Sequence, residues 1–261
     1  MLPLWIADPL YLALAQAGAA VVIALGVVLF ARHNGVEILS DTTKAMLRGF
    51  IQILAVGAVL GYLLQGPAWA GFPVLLAMLF AAARLGATRA KTVPGAFRTV
   101  LIALTAGAGS IIAVMVLVGA IRIEIANLVP VGSMVLSNSM TSSVQLMERL
   151  RSDVTAQRGV VEAGLALGAP PEVVVRPYMQ AAVRAAVLPQ INTMAALGVV
   201  FIPGMMSGMV LAGADPLVAG VYQFVIIAMI LAAGGLTAIV AAILTRRGLF
   251  TPAQQLTLTT R

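Results

Sequence analysis

The sequence predicts an all-α, polytopic membrane protein of about seven transmembrane helices, with its N-terminus outside and its C-terminus in the cytoplasm. Three observations lead there. The chain of 261 residues is 61% hydrophobic and 10% charged, whereas soluble chains carry roughly 25% charged residues. Its apolar residues gather in runs of the length that a bilayer requires of a helix. Its Lys and Arg residues fall almost wholly into alternate connecting segments, as they do when those segments stay cytoplasmic. The formal charge of +7 therefore follows from topology and calls for no nucleic-acid partner.

The opening MLPLWIADPL has no basic n-region, and the first apolar run, about Leu10 to Ala31, exceeds the core of a signal peptide. A retained anchor is expected. A loop from Arg32 to Arg48 carries Arg32, Lys44 and Arg48, and a second run covers Gly49 to Leu64. Gln65, Gly66 and Pro67 form a tight turn without a basic residue, with Trp69 at an interfacial position. The third run, Ala70 to Ala83, reaches toward Gly86 and is followed by Arg84, Arg89, Lys91 and Arg98. The fourth, Val100 to Ile121, is followed by Arg122 and Glu124.

The fifth run, Asn127 to Met147, is rich in polar side chains and is placed in the membrane by the charge pattern. If it crosses, the loops with three, four and five basic residues (32–48, 84–98 and 149–184) share one side with Arg246, Arg247 and Arg261, and only Arg122 lies opposite. Two last runs, Pro189 to Ala212 and Leu217 to Leu244, complete seven spans. With no internal repeat, residues 1–261 read as a single transmembrane domain. The 25 glycines, including the stretch Ala106-Gly-Ala-Gly-Ser110, suit close helix packing where lipid supplies no hydrophobic drive.

Residues 148–189 form a polar island holding nine of the 25 charged residues, so they belong in water against the membrane. Ser152 is expected to cap a helix with Asp153 in its first turn, and Gly168 to close it in the left-handed conformation. Pro170 and Pro171 then start a second helix, with Glu172 near its positive end. Two short helices meeting at a fixed corner would act as a lever.

Much chemistry is excluded. No phosphate loop exists, since Leu85 and Ala90 stand where its two glycines belong before Lys91-Thr92. His33 is the only histidine and there is no cysteine, which excludes a thiolate site and a His cluster within one chain. No nucleophile elbow or buried carboxylate pair is seen. The metal ligands, if any, are unknown at this point, and an enzyme is not expected.

What remains is polar character within the spans. Ser137, Asn138, Ser139, Thr141, Ser142, Ser143 and Gln145 cannot all face lipid, because unsatisfied polar groups in hydrocarbon cost several kcal/mol each. Ser137, Thr141 and Gln145 share one helical stripe, and Asn138 and Ser142 share its neighbour. They form either an interhelical hydrogen-bond network or the lining of a path for a polar solute. In the sixth run, Asn192 and Thr193 lie near the cytoplasmic end, and Pro203-Gly204 predicts a kink or break. Met205, Met206 and Met209 offer thioethers to a soft metal or serve as packing residues.

Glu162-Ala163-Gly164, three residues, then Gly168 resembles the EAA loop by which permeases of ATP-binding-cassette (ABC) transporters dock on their ATPase, with Gly164 where the third alanine is usual. Together with NSMTSSVQL, EAGLALGA and LPQINTMAALGVVFIPGMMSGMVLAGADPL followed by YQ, the chain resembles the Fet-type iron-export permease family, which also includes plant aluminium-tolerance permeases. The resemblance is strong over about Pro130 to Leu244 and one of pattern before it. It implies a permease subunit of an ABC exporter in the bacterial cytoplasmic (inner) membrane, acting in iron export and metal or oxidative-stress resistance. ATP and Mg would be bound by a separate ATPase subunit, with no cofactor on this chain. Glu162, Ala163, Gly164 and Gly168, with Pro170 and Glu172 at the corner, would couple to that ATPase. Ser137, Asn138, Thr141, Ser142, Gln145, Asn192, Pro203, Gly204, Met205 and Met206 are the candidate translocation path. ABC transporters need two membrane halves, so a homodimer or close heterodimer is implied. Three alternatives stay open: an ion-gradient-driven transporter, an ABC permease for another solute such as a sugar nucleotide, and a non-transporting scaffold.

Overall fold

A computed structural model describes residues 9–63, 66–251 and 255–256. The N-terminal residues 1–8, the turn residue Gln65 and the tail residue Arg261 lie outside the described residues. The described chain is helical, without a strand, and it falls into two compact units, one ending at Gly66 and one beginning at Pro67.

The first unit holds α1 (Pro9–His33) and α2 (Leu39–Leu63). The loop expected over 32–48 is much shorter, because α2 starts at Leu39 and takes in the polar stretch before Gly49, with Asp41 in its first turn where a carboxylate meets the positive end of the helix. Between them, Asn34 Nδ2 donates to Phe30 O at 2.8 Å, and Gly35 turns the chain at φ +79°.

The second unit runs through a 3₁₀ turn (Ala68–Ala70), α3 (Gly71–Arg89), α4 (Ala96–Leu104), a π-helical turn (Thr105–Gly109), α5 (Ser110–Leu117), α6 (Ile125–Ala156), α7 (Arg158–Ala166), α8 (Pro171–Ala196), α9 (Gly204–Leu211) and α10 (Pro216–Gly248). Helices α6 and α10 pack on each other along their length, α3 and α8 lie against α6, and α4, α8 and α9 lie against α10. Leu104, Leu128, Leu146, Met147, Leu150, Ile226 and Met229 form the fully buried centre.

Small residues let these helices approach, as the glycine content predicts. A Cβ on Gly107 would lie 2.6 Å from the backbone nitrogen of Thr237, so the π turn and α10 touch backbone to backbone. On Gly86 it would lie 3.1 Å from Val100 Cγ1 and 3.3 Å from Met140 Cγ. The fourth run is thus one rod with a wide turn in its middle, where Thr105 Oγ1 donates to Leu101 O at 2.8 Å and Ser110 Oγ donates to Gly107 O at 3.0 Å. Both carbonyls also accept a backbone N–H, Leu101 O from Thr105 N and Gly107 O from Ser110 N.

Four of the described helical stretches are long and apolar enough to cross a membrane: Tyr11–His33, Gly71–Arg89, Ala96–Leu117 and Pro216–Gly248. Asp215 caps the last, its Oδ1 accepting from Leu217 N at 2.8 Å and Val218 N at 3.1 Å, and Pro216 follows at the first helical position.

Two expectations are corrected. Ser152 caps no helix and Asp153 opens none, because α6 continues through both to Ala156. Leu146, Met147, Leu150 and Val154 keep one face buried at helical spacing, and that stripe outweighs the surrounding charge. Nor are there two short helices at the corner. Only α7 is short, while α8 runs 26 residues and contains Pro177 and Pro189. Its buried face, Val175, Ala182, Ala186 and Gln190, carries it into the sixth run.

Candidate functional site

The corner itself forms as expected. Gly168 adopts φ +83°, its nitrogen donates to Leu165 O at 3.0 Å, and Ala169 N donates to Gly164 O at 3.1 Å, which closes α7 by a left-handed C-terminal turn. Pro170 in the extended conformation and Pro171 at the first helical position start α8. Gly164 is where α7 rests on α8: a Cβ there would meet Val174 Cγ2 at 3.1 Å and Cγ1 at 3.3 Å. Glu162 and Ala163 are exposed, and Arg158 Nε donates to Glu162 Oε1 at 2.6 Å. Glu172 accepts from Arg246 Nη2 at 2.6 Å, which ties the start of α8 to the end of α10. Pro170 and Glu172 are exposed, so α7 and the corner present an open surface.

The polar face of α6 divides in two. Ser137, Thr141 and Gln145 are exposed along one stripe, while Ser139, Ser142 and Ser143 are buried. Asn138 stands at the border, its Nδ2 donating to Met134 O at 2.9 Å. Ser142 makes the cross-helix contact: its Oγ lies 2.8 Å from the side-chain amide of Gln190 on α8. The amide orientation that satisfies both of its ends has Gln190 Oε1 accepting from Ser142 Oγ at 2.8 Å while Nε2 donates to Val187 O at 2.9 Å and Ala186 O at 3.2 Å. Gly234 of α10 closes the node, with a built Cβ 3.1 Å from Ser142 Oγ. Three helices therefore meet at one buried polar point.

Beside this node lies a cavity of about 250 Å³, lined by Met134, Asn138, Gln190, Thr193, Phe201 and Ile227 among others. Its far wall comes from the interruption between α8 and α9. The break predicted at Pro203-Gly204 begins earlier, at Leu197, where Gly198 turns at φ +80° and Gly198 N donates to Phe201 O at 3.0 Å. Pro203 is buried and ends the break, and Gly204 begins α9. A second cavity of about 410 Å³ lies between the C-terminal half of α6 and the second half of α8, lined by Gln145, Glu148, Arg149, Ser152, Ala185 and Pro189.

The structure brings together Asn138, Ser142 and the Phe201 segment, and it leaves Asn192 apart on the exposed face of α8. Met205 and Met206 diverge: Met205 lines a pocket with Met209, while Met206 Cε lies 3.7 Å from a Cβ built on Gly220. Gln190 was not singled out from sequence, although its signal was there in the spacing Ala182, Ala186, Gln190 on the inward face. Gln223, Thr237 and Thr245 on α10 are also buried, and their side-chain polar atoms have no hydrogen-bond partner among the described residues. Among the described residues no three His, Cys, Asp or Glu side chains are grouped to hold a metal ion. The donors at the node are hydroxyls, amides and carbonyls.

Comparison with known proteins gives a consistent picture. The family described as "Uncharacterised protein family (UPF0014)" matches residues 14–250. The chain is 33% identical over 244 residues to "UPF0014 membrane protein STAR2" of Oryza sativa subsp. japonica, covering 91% of this chain and 84% of that one. It is 31% identical over 241 residues to "Probable iron export permease protein FetB" of Escherichia coli (strain K12), covering 92% and 93%. It is 29% identical over 245 residues to "Protein ALUMINUM SENSITIVE 3" of Arabidopsis thaliana, covering 92% and 88%. No solved structure matches the chain.

Proposed function

The chain belongs to the UPF0014 family of membrane proteins, and from that premise we propose that it is the transmembrane permease subunit of an ATP-driven ABC exporter. A separate ATPase subunit, binding ATP and Mg, docks at α7 and the corner through Glu162, Ala163, Gly164, Gly168, Pro170 and Glu172. Two permease copies make the working unit in the bacterial inner membrane. About seven spans, with the N-terminus outside and α7 in the cytoplasm, put all basic segments but that of Arg122 on the ATPase side. The permease is one transmembrane domain without enzymatic activity of its own.

The observation that supports this best is the continuity of α8. One helix begins at the exposed corner, bears Gln190 at the buried node with Ser142, and ends where the chain breaks beside the 250 Å³ cavity. A displacement at Pro171 is transmitted to Gln190 along about 28 Å of helix, at 1.5 Å per residue. Closure of two ATPase subunits beneath α7 would thus reach the polar node directly. Ser137, Thr141 and Gln145 expose hydroxyl and amide groups that hydrocarbon disfavours, and they suit the wet side of a path shared with a second copy.

Iron is the proposed cargo on the strength of the Escherichia coli relative's printed name. Hard iron ions favour oxygen donors over thioethers, which directs attention to Ser142, Asn138 and the open carbonyls of the break and away from Met205 and Met206. The test is ATP-dependent flux of radiolabelled iron in proteoliposomes carrying this chain and its ATPase. Flux that needs both subunits and ATP, and falls when Asn138 and Ser142 are changed to Ala, is expected. Transport that survives ATP depletion but collapses with an ionophore would identify an ion-gradient carrier instead.

A further inference from the structure

At the end of α6 opposite the corner lies a pocket of about 430 Å³ that neither the docking surface nor the node explains. Its volume falls within the roughly 300–1,000 Å³ typical of small-molecule sites. Arg122 supplies the one charged side chain in its lining, Tyr222 a phenol, Asn127 an amide, and Met205 and Met209 two thioethers, one helical turn apart on α9. Gly119, Ala120 and Val218 complete a wall that is mostly apolar.

The charge is not cancelled within the site. No ion pair to Arg122 occurs among the described residues. No carboxylate is among the lining residues. Glu124 Oε2 accepts from Asn127 Nδ2 at 3.0 Å, and Asp215 caps α10. Asn127, held by Glu124 through its nitrogen, keeps its oxygen as an acceptor.

The lining also argues against a cation. Two thioethers could attract a soft metal ion, but a fixed guanidinium in the same pocket repels it, and no carboxylate faces in. Thioethers and a phenol instead make favourable contacts with a flat ring, and a guanidinium presents a planar fork matched to a carboxylate.

We propose that this pocket binds a small organic anion with a flat apolar body, of the aromatic carboxylate class, with Arg122 holding the carboxylate and Met205, Met209 and Tyr222 enclosing the ring. This assignment goes beyond the transport reading and does not depend on it. The binding needs neither ATP nor a partner subunit.

The test is thermal unfolding and calorimetry of the full-length chain in detergent with benzoate as the probe, benzamide as its neutral isostere and benzylamine as its cationic one. Saturable stabilisation by benzoate is expected, with benzamide at least tenfold weaker and benzylamine without effect. Arg122→Gln should remove the preference for benzoate over benzamide, and Arg122→Lys should retain part of it. Met209→Glu, a second variant that sets a carboxylate in the same pocket as Arg122, should abolish benzoate binding. Equal responses to benzoate and benzamide, undiminished benzoate binding in Arg122→Gln, or silver ion binding to Met205 and Met209 without any response to benzoate would each overturn the proposal.

Discussion

The node of Ser142, Gln190 and Gly234 makes an asymmetric prediction. In the orientation that satisfies Gln190, its nitrogen is bound by the carbonyls of Ala186 and Val187 and its oxygen depends on Ser142 alone. Ser142→Ala removes that donor and leaves a buried amide oxygen with nothing to accept, at a cost of about 2 kcal/mol. Gln190→Leu removes the amide altogether. The Ser142 hydroxyl then keeps a partner in its own helix, since its Oγ lies 3.1 Å from Asn138 O. The loss is therefore only that of an interhelical hydrogen bond, about 0.6 kcal/mol by the average for membrane helices. The double variant should resemble Gln190→Leu, its cost well below the sum of the two singles, giving a coupling of about 1–2 kcal/mol. Equilibrium unfolding in mixed detergent micelles, followed by circular dichroism, measures all three. If Gln190→Leu proves the costlier single change, or the two effects simply add, the node does not hold the helices as described.

Three further outcomes are expected. Gly107→Ala should destabilise the chain by about 3 kcal/mol, because the added methyl meets the Thr237 backbone. Gly132→Ala, which meets only the end of the Leu75 side chain, should be rescued by Leu75→Ala; thermal unfolding distinguishes the two. Gly168→Asn should leave stability and coupling near those of the parent, and Gly168→Val should lose roughly 1–2 kcal/mol from backbone strain alone, since no atom lies within 4 Å of its Cβ. Unfolding curves give the first quantity, and iron moved per ATP hydrolysed gives the second. Exchanging the charges of Glu172 and Arg246 should restore most of what either single reversal removes, an effect of about 0.2–1 kcal/mol for a pair whose carboxylate is exposed, and it should fade as salt rises.

The corner was legible because proline and glycine act locally: Gly168 and Pro170-Pro171 dictate their own backbone whatever surrounds them. The extent of the flanking helices was not. Ser152 and Asp153 look like a helix start when read with their charged neighbours, and only the burial of Leu150 and Val154 against other helices keeps α6 going. Gln190 was overshadowed by Asn192 for a related reason, since two positions on a helix differ by about 200° and only the packing of α8 on α6 decides which of them is inside. The break near Pro203 was foreseen, but its start at Leu197 depends on the turn at Gly198, a residue that would pass unremarked in an apolar span. The division of the α6 polar face into an exposed and a buried stripe followed the predicted periodicity, with Ser137, Thr141 and Gln145 staying together.

The wide turn at Thr105–Gly109 bears on how this chain tolerates change in length. A π turn accommodates one residue more than an ordinary turn does. Deleting one residue there would rewind the rod to plain α geometry and leave the faces of α4 and α5 in their present directions. The same deletion elsewhere in either helix would swing everything beyond it by about 100° and turn packed side chains toward lipid. Natural variants a residue shorter in this span should therefore have lost it between Thr105 and Gly109, where the rod holds slack to give up.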